Sequence, residues 1–85
     1  MYAVLLLAQC HIFYRVFGSR VRVSSGPLNV RLKPSTSSKI LGTQPTGALG
    51  TIVDGPKKGS GYTWWKINYD SGADGWSVGN YLQKV

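Results

Sequence analysis

A chain of 85 residues holds one domain at most, with a single small core. Its one cysteine, Cys10, excludes an intramolecular disulfide. Ten lysines and arginines against three aspartates give a net charge of +7, which favours anionic partners such as nucleic acid, anionic lipid or wall polymers. The cations are dispersed along the chain, however, so solubility and weak non-specific attraction account for most of this charge.

The N-terminal stretch, residues 1–17, differs from the rest because it is almost wholly apolar. It is shorter and more interrupted than the roughly 20 apolar residues that a spanning helix needs, so we expect no stable membrane span. Two interpretations stay open. The run AVLLLA, residues 3–8, resembles the apolar part of an export signal, although no lysine or arginine precedes it. Alternatively, the stretch is a strand or short helix that packs on the domain.

From residue 19 onward the sequence is typical of an all-β fold. Short runs of alternating apolar and polar residues are separated by Gly, Pro, Ser and Asp turns. We place the domain boundary near Gly18, which separates an apolar N-terminal segment (1–18) from the β domain (19–85). Closely spaced strands with glycine turns favour a small closed barrel. The predicted strands are 20–24, 28–31, 39–43, 49–53, 62–69 and 73–78.

Two stretches that contain glycine carry specific expectations. Gly50 interrupts an apolar run, which indicates a bulge or a close approach of the backbone to a neighbour. The run DGPKKGSG, residues 54–61, is predicted to be a flexible and locally basic loop. It leads into the longest predicted strand, which ends at the turn signal Asp-Ser-Gly.

The aromatic stretch 62–76 contains all three tryptophans of the chain. Side chains alternate along a strand, so Trp65, Ile67 and Tyr69 share one face. Ile67 is aliphatic and marks this face as the interior. Trp64 lies on the opposite face beside a lysine, and we therefore predict that it points outward and contacts a ligand. The alternative is that Trp64 packs beneath the loop that precedes the strand.

Five segments, in this order and at this spacing, resemble the bacterial SH3-like domain. They are LNVR (28–31), PSTSSKILGT (34–43), TGALGTIV (46–53), YTWWKINYDSGADGW (62–76) and NYL (80–82). The resemblance covers about residues 20–85 and implies a small half-open barrel of five or six strands with one 3₁₀ turn near residues 78–81. It also implies structural roles for Leu28, Val30, Ile40, Leu41, Ile52, Ile67 and Leu82.

The resemblance implies a non-enzymatic binding module. Members of the family typically bind peptidoglycan peptides or wall polymers, and the similar eukaryotic SH3 domains hold peptides on an aromatic groove. We therefore expect a cell-wall peptide or polymer, or a protein peptide, as the partner. An envelope or secreted location is expected, or a cytoplasmic one if residues 1–17 are a structural element. The candidate ligand-binding residues are Arg31, Tyr62, Trp64, Trp76, Asn80 and Tyr81.

One position departs from the family pattern. After Gly75 and Trp76 the family has a hydrophobic residue, whereas this chain has Ser77 followed by Val78. A local shift of the strand register at this point would change the surface that this end of the barrel presents.

No catalytic, metal or cofactor site is predicted. Cys10 and His11 are sequence neighbours, whose side chains diverge on a strand or a helix, so a nucleophile–base hydrogen bond between them is not expected. One cysteine and one histidine do not furnish a zinc site without carboxylates. The three aspartates lie beside glycines in turns, where aspartate is favoured for backbone reasons.

Two further functions remain as hypotheses. A homo-oligomer held together by residues 1–17 would cover a large apolar patch. Nucleic-acid binding by a small basic barrel would use aromatic rings interleaved with cations. The sequence argues against nucleic acid, because the outer face of the predicted strand at 62–69 offers one lysine and no ladder of aromatic rings.

Overall fold

The computed structural model describes residues 18–85, and the predictions for residues 1–17 concern a part of the chain outside that range. The described part contains seven strands and a 3₁₀ turn. The all-β fold and the turn are confirmed, and the strands outnumber the expected five or six because the residues after the turn pair with the first strand. The elements are β1 (Arg20–Val23), β2 (Leu28–Arg31), β3 (Ile40–Gln44), β4 (Leu49–Gly59), β5 (Tyr62–Tyr69), β6 (Gly75–Val78), the 3₁₀ turn (Gly79–Tyr81) and β7 (Leu82–Lys84).

The strands form one sheet in the order β3-β2-β6-β5-β4-β1-β7, and neighbours are antiparallel. β3 and β7 are its edges and do not pair with each other, so the sheet of the described residues is open. The closed barrel predicted from the turn spacing is therefore wrong, whereas the half-open arrangement implied by the family resemblance agrees with the structure. Turn spacing predicts where strands end, but register and twist decide which edges meet.

The main core is formed by alternate residues of β1, β2, β4 and β5. Alternation in β1 buries two valines and exposes two arginines, as predicted. Ile40 and Leu41 were expected to have structural roles, but they are 47% and 41% exposed because β3 is an edge strand with no neighbour on its outer side. The buried members of the main core are Val21, Val23, Leu28, Val30, Ile52, Ile67 and Tyr69, and Ala48, Trp65, Ala73 and Leu82 pack against it partly buried.

The β4–β5 hairpin replaces the basic loop predicted at residues 54–61. β4 spans eleven residues, and its pairing with β5 continues to Gly59, which lies opposite Tyr62. The loop prediction is therefore wrong. Register irregularities on both sides of Asp54 bend the hairpin, as bulges do. The next two residues, Ser60 and Gly61, have φ values of 53° and 82° and form a tight two-residue turn.

Gly50 confirms the close approach predicted for it. The residue is buried on β4, and a Cβ atom at this position would lie 2.6 Å from Cγ2 of Ile67 on β5. The bulges lie further along β4. Glycine at this position therefore lets β4 pack directly against the central residue of the core.

Ser77 occupies a fully buried position on β6 without any shift of register. Pairing between β5 and β6 is continuous from Trp64 opposite Val78 to Ile67 opposite Gly75. The Tyr69 hydroxyl donates to Ser77 Oγ at 2.8 Å, and Ser77 Oγ donates to the Asn29 carbonyl oxygen at 3.2 Å. The serine therefore replaces a hydrophobic residue by joining three strands through satisfied hydrogen bonds.

We expect Ser77→Ala to destabilise the fold by about 1–3 kcal/mol, because it leaves the buried Tyr69 hydroxyl without its acceptor. Tyr69→Phe should cost less, since Ser77 keeps its bond to Asn29. The double variant Tyr69→Phe/Ser77→Ala should be more stable than Ser77→Ala alone. Urea unfolding of the three variants measures these differences. A double variant whose loss equals the sum of the two single losses would contradict the hydrogen-bond chain.

An exposed ion pair joins β1 to the turn after β5. Arg20 Nη1 and Nη2 donate to the two carboxylate oxygens of Asp70 at 2.8 and 2.6 Å. This hydrogen bond is the main reason that the pKa of Asp70 is lowered and the pKa of Arg20 is raised. Because both side chains are about half exposed, solvent screens the pair and its contribution to stability is small.

Acid titration should reveal this pair. A lowered folded-state pKa means that the Asp70 carboxylate stabilises the fold above the usual aspartate pKa of about 3.9, and that the contribution is lost as pH falls through the folded value. We expect the Tm of the wild type to exceed that of Asp70→Asn at neutral pH, and the gap to shrink below about pH 4. Circular dichroism melts across this range measure the gap. A gap that is independent of pH would contradict the assignment.

Candidate functional site

A groove with a volume of about 350 Å³ opens between β2, the start of β5 and the 3₁₀ turn. Its walls come from parts of the chain that are distant in sequence. The turn before β2 contributes Ser25, Gly26 and Pro27, and β2 contributes Leu28, Asn29 and Arg31. The other side is lined by Thr36, Tyr62, Trp64, Val78 and Tyr81.

Trp64 forms the floor of this groove. The residue is only 1% exposed and packs in a second buried cluster with Trp76 and Val78 of β6. Its indole Nε1–H donates to the Gly59 carbonyl oxygen at 2.8 Å. The prediction that Trp64 points into solvent is therefore wrong, and the alternative that it packs beneath the stretch at 54–61 is what the structure shows.

Alternation assigns Trp64 to the correct face of β5, and only its predicted exposure to solvent is wrong. Trp65 packs against the main core together with Ile67, as alternation predicts, and Trp64 lies on the opposite face. On that opposite face the Lys66 side chain is exposed to solvent, whereas the Trp64 side chain is buried. The bent hairpin and β6 surround the Trp64 ring. Period-two alternation identifies the side of a strand, whereas burial depends on what packs against that side.

Two tyrosines form the exposed aromatic part of the groove. Tyr62 is 38% exposed at the start of β5, and Tyr81 is 44% exposed at the end of the 3₁₀ turn. The Tyr62 ring meets Trp64 edge to face, with centroids 6.2 Å apart and an interplanar angle of 85°. This geometry is favourable for aromatic pairs, so the buried tryptophan supports the exposed tyrosine.

The hairpin turn and the polar loop at 33–38 hold each other in place beside the groove. Ser60 Oγ accepts a hydrogen bond from the Thr36 backbone N–H at 3.1 Å. Gly59 lies so close to the Pro34 carbonyl oxygen that a Cβ atom there would overlap it. Glycine at position 59 therefore brings the loop onto the hairpin, and Thr36 onto the rim of the groove.

Arg31 supplies the only charged side chain among the residues that line the groove. It is the last residue of β2 and is half-buried. Its backbone lies opposite Ile40 of β3 on one side and Trp76 of β6 on the other. Its Nη1 donates to the Ser38 carbonyl oxygen at 2.9 Å, which anchors the guanidinium to the polar loop. The fold therefore positions this guanidinium at the groove.

The structure brings four of the six predicted site residues into one groove. These are Arg31, Tyr62, Trp64 and Tyr81. Trp76 is buried in the same cluster as Trp64 and does not line the groove, and Asn80 is exposed on the 3₁₀ turn outside the lining. The other lining residues were not predicted, because residues typical of turns, strands or the core carry no signal of a ligand site. They are Ser25, Gly26, Pro27, Leu28, Asn29, Thr36 and Val78.

A second and smaller cavity, of about 170 Å³, lies on the other side of β5 and holds none of the predicted site residues. It is mainly apolar and is lined by Ser19, Val21, Ile52, Trp65, Gly79, Leu82 and Lys84. Within residues 18–85, no group of three or more histidine, cysteine or acidic side chains is arranged to hold a metal ion. The same range contains no helix long and apolar enough to cross a membrane.

Comparison with protein families agrees with this geometry. Residues 26–83 match the family model described as bacterial SH3 domain, which spans more than half of the chain. The chain belongs to the bacterial SH3 domain family. Membership indicates a module that binds peptides or proteins in general. No curated protein and no solved structure matches the chain.

Gly59→Ala should deform the wall of the groove. The added methyl group meets the Pro34 carbonyl oxygen, so we expect a loss of about 1–3 kcal/mol in the free energy of unfolding. The indole N–H resonance of Trp64 should also shift, because its acceptor is the Gly59 carbonyl oxygen. Urea unfolding and ¹⁵N-resolved NMR spectra measure the two effects.

Gly61→Ala is the matched control for this variant. A Cβ atom at Gly61 would meet nothing within 4 Å, so its cost comes only from the positive φ of 82°. We expect the Trp64 indole resonance to stay in place in Gly61→Ala. An equal shift in both variants would mean that the contact between Gly59 and Pro34 does not hold the wall.

Proposed function

We propose that this chain is a non-enzymatic binding module that holds a peptide or polymer of the bacterial cell wall in the groove above Trp64. The observation that carries the proposal is the convergence of Arg31, Tyr62 and Tyr81 from three separate parts of the chain on one open cleft. A cleft with aromatic walls and a few polar groups is the usual form of a ligand site. Family membership supports a binding role of this kind.

The chemistry of the groove suits an extended and uncharged or anionic segment. Tyr62 and Tyr81 offer exposed ring faces and hydroxyl groups at little cost in side-chain entropy. Leu28 and Val78 make the deeper surface apolar. The net charge of +7 adds a long-range attraction toward the anionic polymers of a bacterial wall. A location in the envelope or outside the cell belongs to this proposal.

Catalysis is not part of the proposed function. The residues that line the groove include no carboxylate, histidine or cysteine. Asp54, at an irregularity of β4, and Asp74, just before β6, each accept a backbone hydrogen bond, and Asp70 is paired with Arg20. The three carboxylates thus serve the fold. Nucleic acid fits the groove less well, because stacking sites are normally lined by several cations and this groove has one.

Sedimentation with purified peptidoglycan tests the proposal. We expect the wild type to sediment with the wall, and Tyr62→Ala and Tyr81→Ala each to lose about tenfold in apparent affinity, since both rings form exposed walls of the groove. Trp64→Ala is unsuitable for this purpose, because the loss of a buried ring would damage the fold.

Leu49→Ala provides the control for these variants. Leu49 is 40% exposed, similar to the two tyrosines, but it does not line the groove. It should therefore sediment with the wall like the wild type. Wild-type protein that stays entirely in the supernatant would contradict wall binding. Equal losses in Leu49→Ala and the tyrosine variants would contradict the groove as the site.

A further inference from the structure

Charge is distributed unevenly between the groove and the rest of the described surface. The lining contains one guanidinium, that of Arg31, and no carboxylate. Each aspartate of the chain is engaged elsewhere, through Arg20 for Asp70 and through backbone N–H groups for Asp54 and Asp74. The groove therefore has a positive charge that no acidic group lining it balances.

Arg20 and Arg31 show two different environments for the same group. Arg20 directs both terminal nitrogens to the two oxygens of Asp70, at 2.8 and 2.6 Å. Arg31 uses one terminal nitrogen for the Ser38 carbonyl oxygen at 2.9 Å, and within residues 18–85 it has no carboxylate partner. A guanidinium has five N–H donors in a planar fork, so an anchored Arg31 retains donors for a bidentate acceptor.

Arg31 is the one cation in the lining, and the other lining residues are aromatic, apolar or uncharged, which favours a ligand with a single anionic group. Two further cations lie near the site without lining it: exposed Lys33 follows β2, and exposed Lys57 pairs with Trp64 across the hairpin. They raise the local potential but leave Arg31 as the direct contact. The groove volume of about 350 Å³ is at the lower end for ligand sites, which suits a short segment or a chain end.

We propose that Arg31 binds a carboxylate of the peptide ligand, while the peptide backbone lies between Tyr62 and Tyr81. This inference rests on the proposed function and names the ligand chemistry that the groove selects. The carboxylate comes from the C-terminus of the peptide or from an acidic side chain. In either case the guanidinium exchanges water for a charge-assisted pair of hydrogen bonds, anchored from behind by the Ser38 carbonyl oxygen.

Three peptides separate the alternatives: acetyl-trialanine as the free acid, the same peptide as the C-terminal amide, and an amidated peptide whose middle residue is glutamate. Titration into the ¹⁵N-labelled full chain is followed by NMR at the backbone resonances of Tyr62 and Tyr81. We expect the wild type to bind at least one of the two peptides that carry a carboxylate about tenfold more tightly than the neutral amide. Tight binding of the glutamate peptide assigns the carboxylate to a side chain, and weak binding assigns it to the terminus.

Variants of Arg31 test the role of the guanidinium. In Arg31→Gln the affinity of the better carboxylate peptide, relative to the neutral amide, should fall to about one, and in Arg31→Lys it should be intermediate because the charge remains without the fork. Lys33→Gln is the matched control, since it removes a neighbouring cation that does not line the groove, and it should keep the wild-type ratio. The NMR spectra of the free variants establish that each is folded.

Several results would overturn the carboxylate assignment. They are equal wild-type affinity for all three peptides, a preference for a carboxylate retained in Arg31→Gln, an equal loss in Lys33→Gln, or stronger competition by inorganic phosphate than by acetate. If one of these occurs while the wild type still sediments with peptidoglycan, the carboxylate assignment fails alone. If no peptide shifts the groove resonances and the protein does not sediment with the wall, the proposed function fails as well.

Discussion

The burial of Trp64 and its hydrogen bond to the Gly59 carbonyl oxygen are the features on which the rest of the site depends. One indole ring ties the end of the hairpin to β6, where it packs with Trp76 and Val78, and it contacts the ring of Tyr62. Burying about 200 Å² of aromatic surface at about 25 cal/mol/Å² is worth on the order of 5 kcal/mol. That is comparable with the whole stability of a small domain, so the floor of the groove and the fold are stabilised together.

The bend of the β4–β5 hairpin makes this burial geometrically feasible. Irregular pairing around Asp54 bends the hairpin, and in its outer half the Trp64 indole reaches the Gly59 carbonyl oxygen near the tip. The tip then meets the polar loop at 33–38 through Ser60 and Thr36, and the short contact between Gly59 and Pro34 closes the wall. Curvature of the sheet thus converts a solvent-facing side of β5 into the floor of a groove, and it does so without a closed barrel.

Some polar side chains stabilise the fold, and others are exposed in the groove. Tyr69, Ser77 and the Asn29 carbonyl oxygen form a buried chain of hydrogen bonds, and burial accordingly raises the pKa of Tyr69. Within residues 18–85 every buried side-chain donor or acceptor has a partner. The aspartates are engaged by backbone N–H groups and in one ion pair, so the positive charge in the groove has no carboxylate of the described residues to neutralise it. Exposed Tyr62 and Tyr81 complete a surface with unused hydrogen-bonding and stacking capacity.

The sequence by itself determined the all-β class, most strand positions, the face of each side chain in β1 and β5, and the family, because these follow from local alternation, turn residues and short ordered segments. It also identified Arg31, Tyr62, Trp64 and Tyr81, which meet in the groove. Only the tertiary structure decided that Trp64 is buried as the floor of the groove, that residues 54–59 continue strand β4, and that Ser77 fits into β6 without a register shift. Those outcomes depend on contacts between residues far apart in the chain, and a local pattern carries no information about which element will cover a given face.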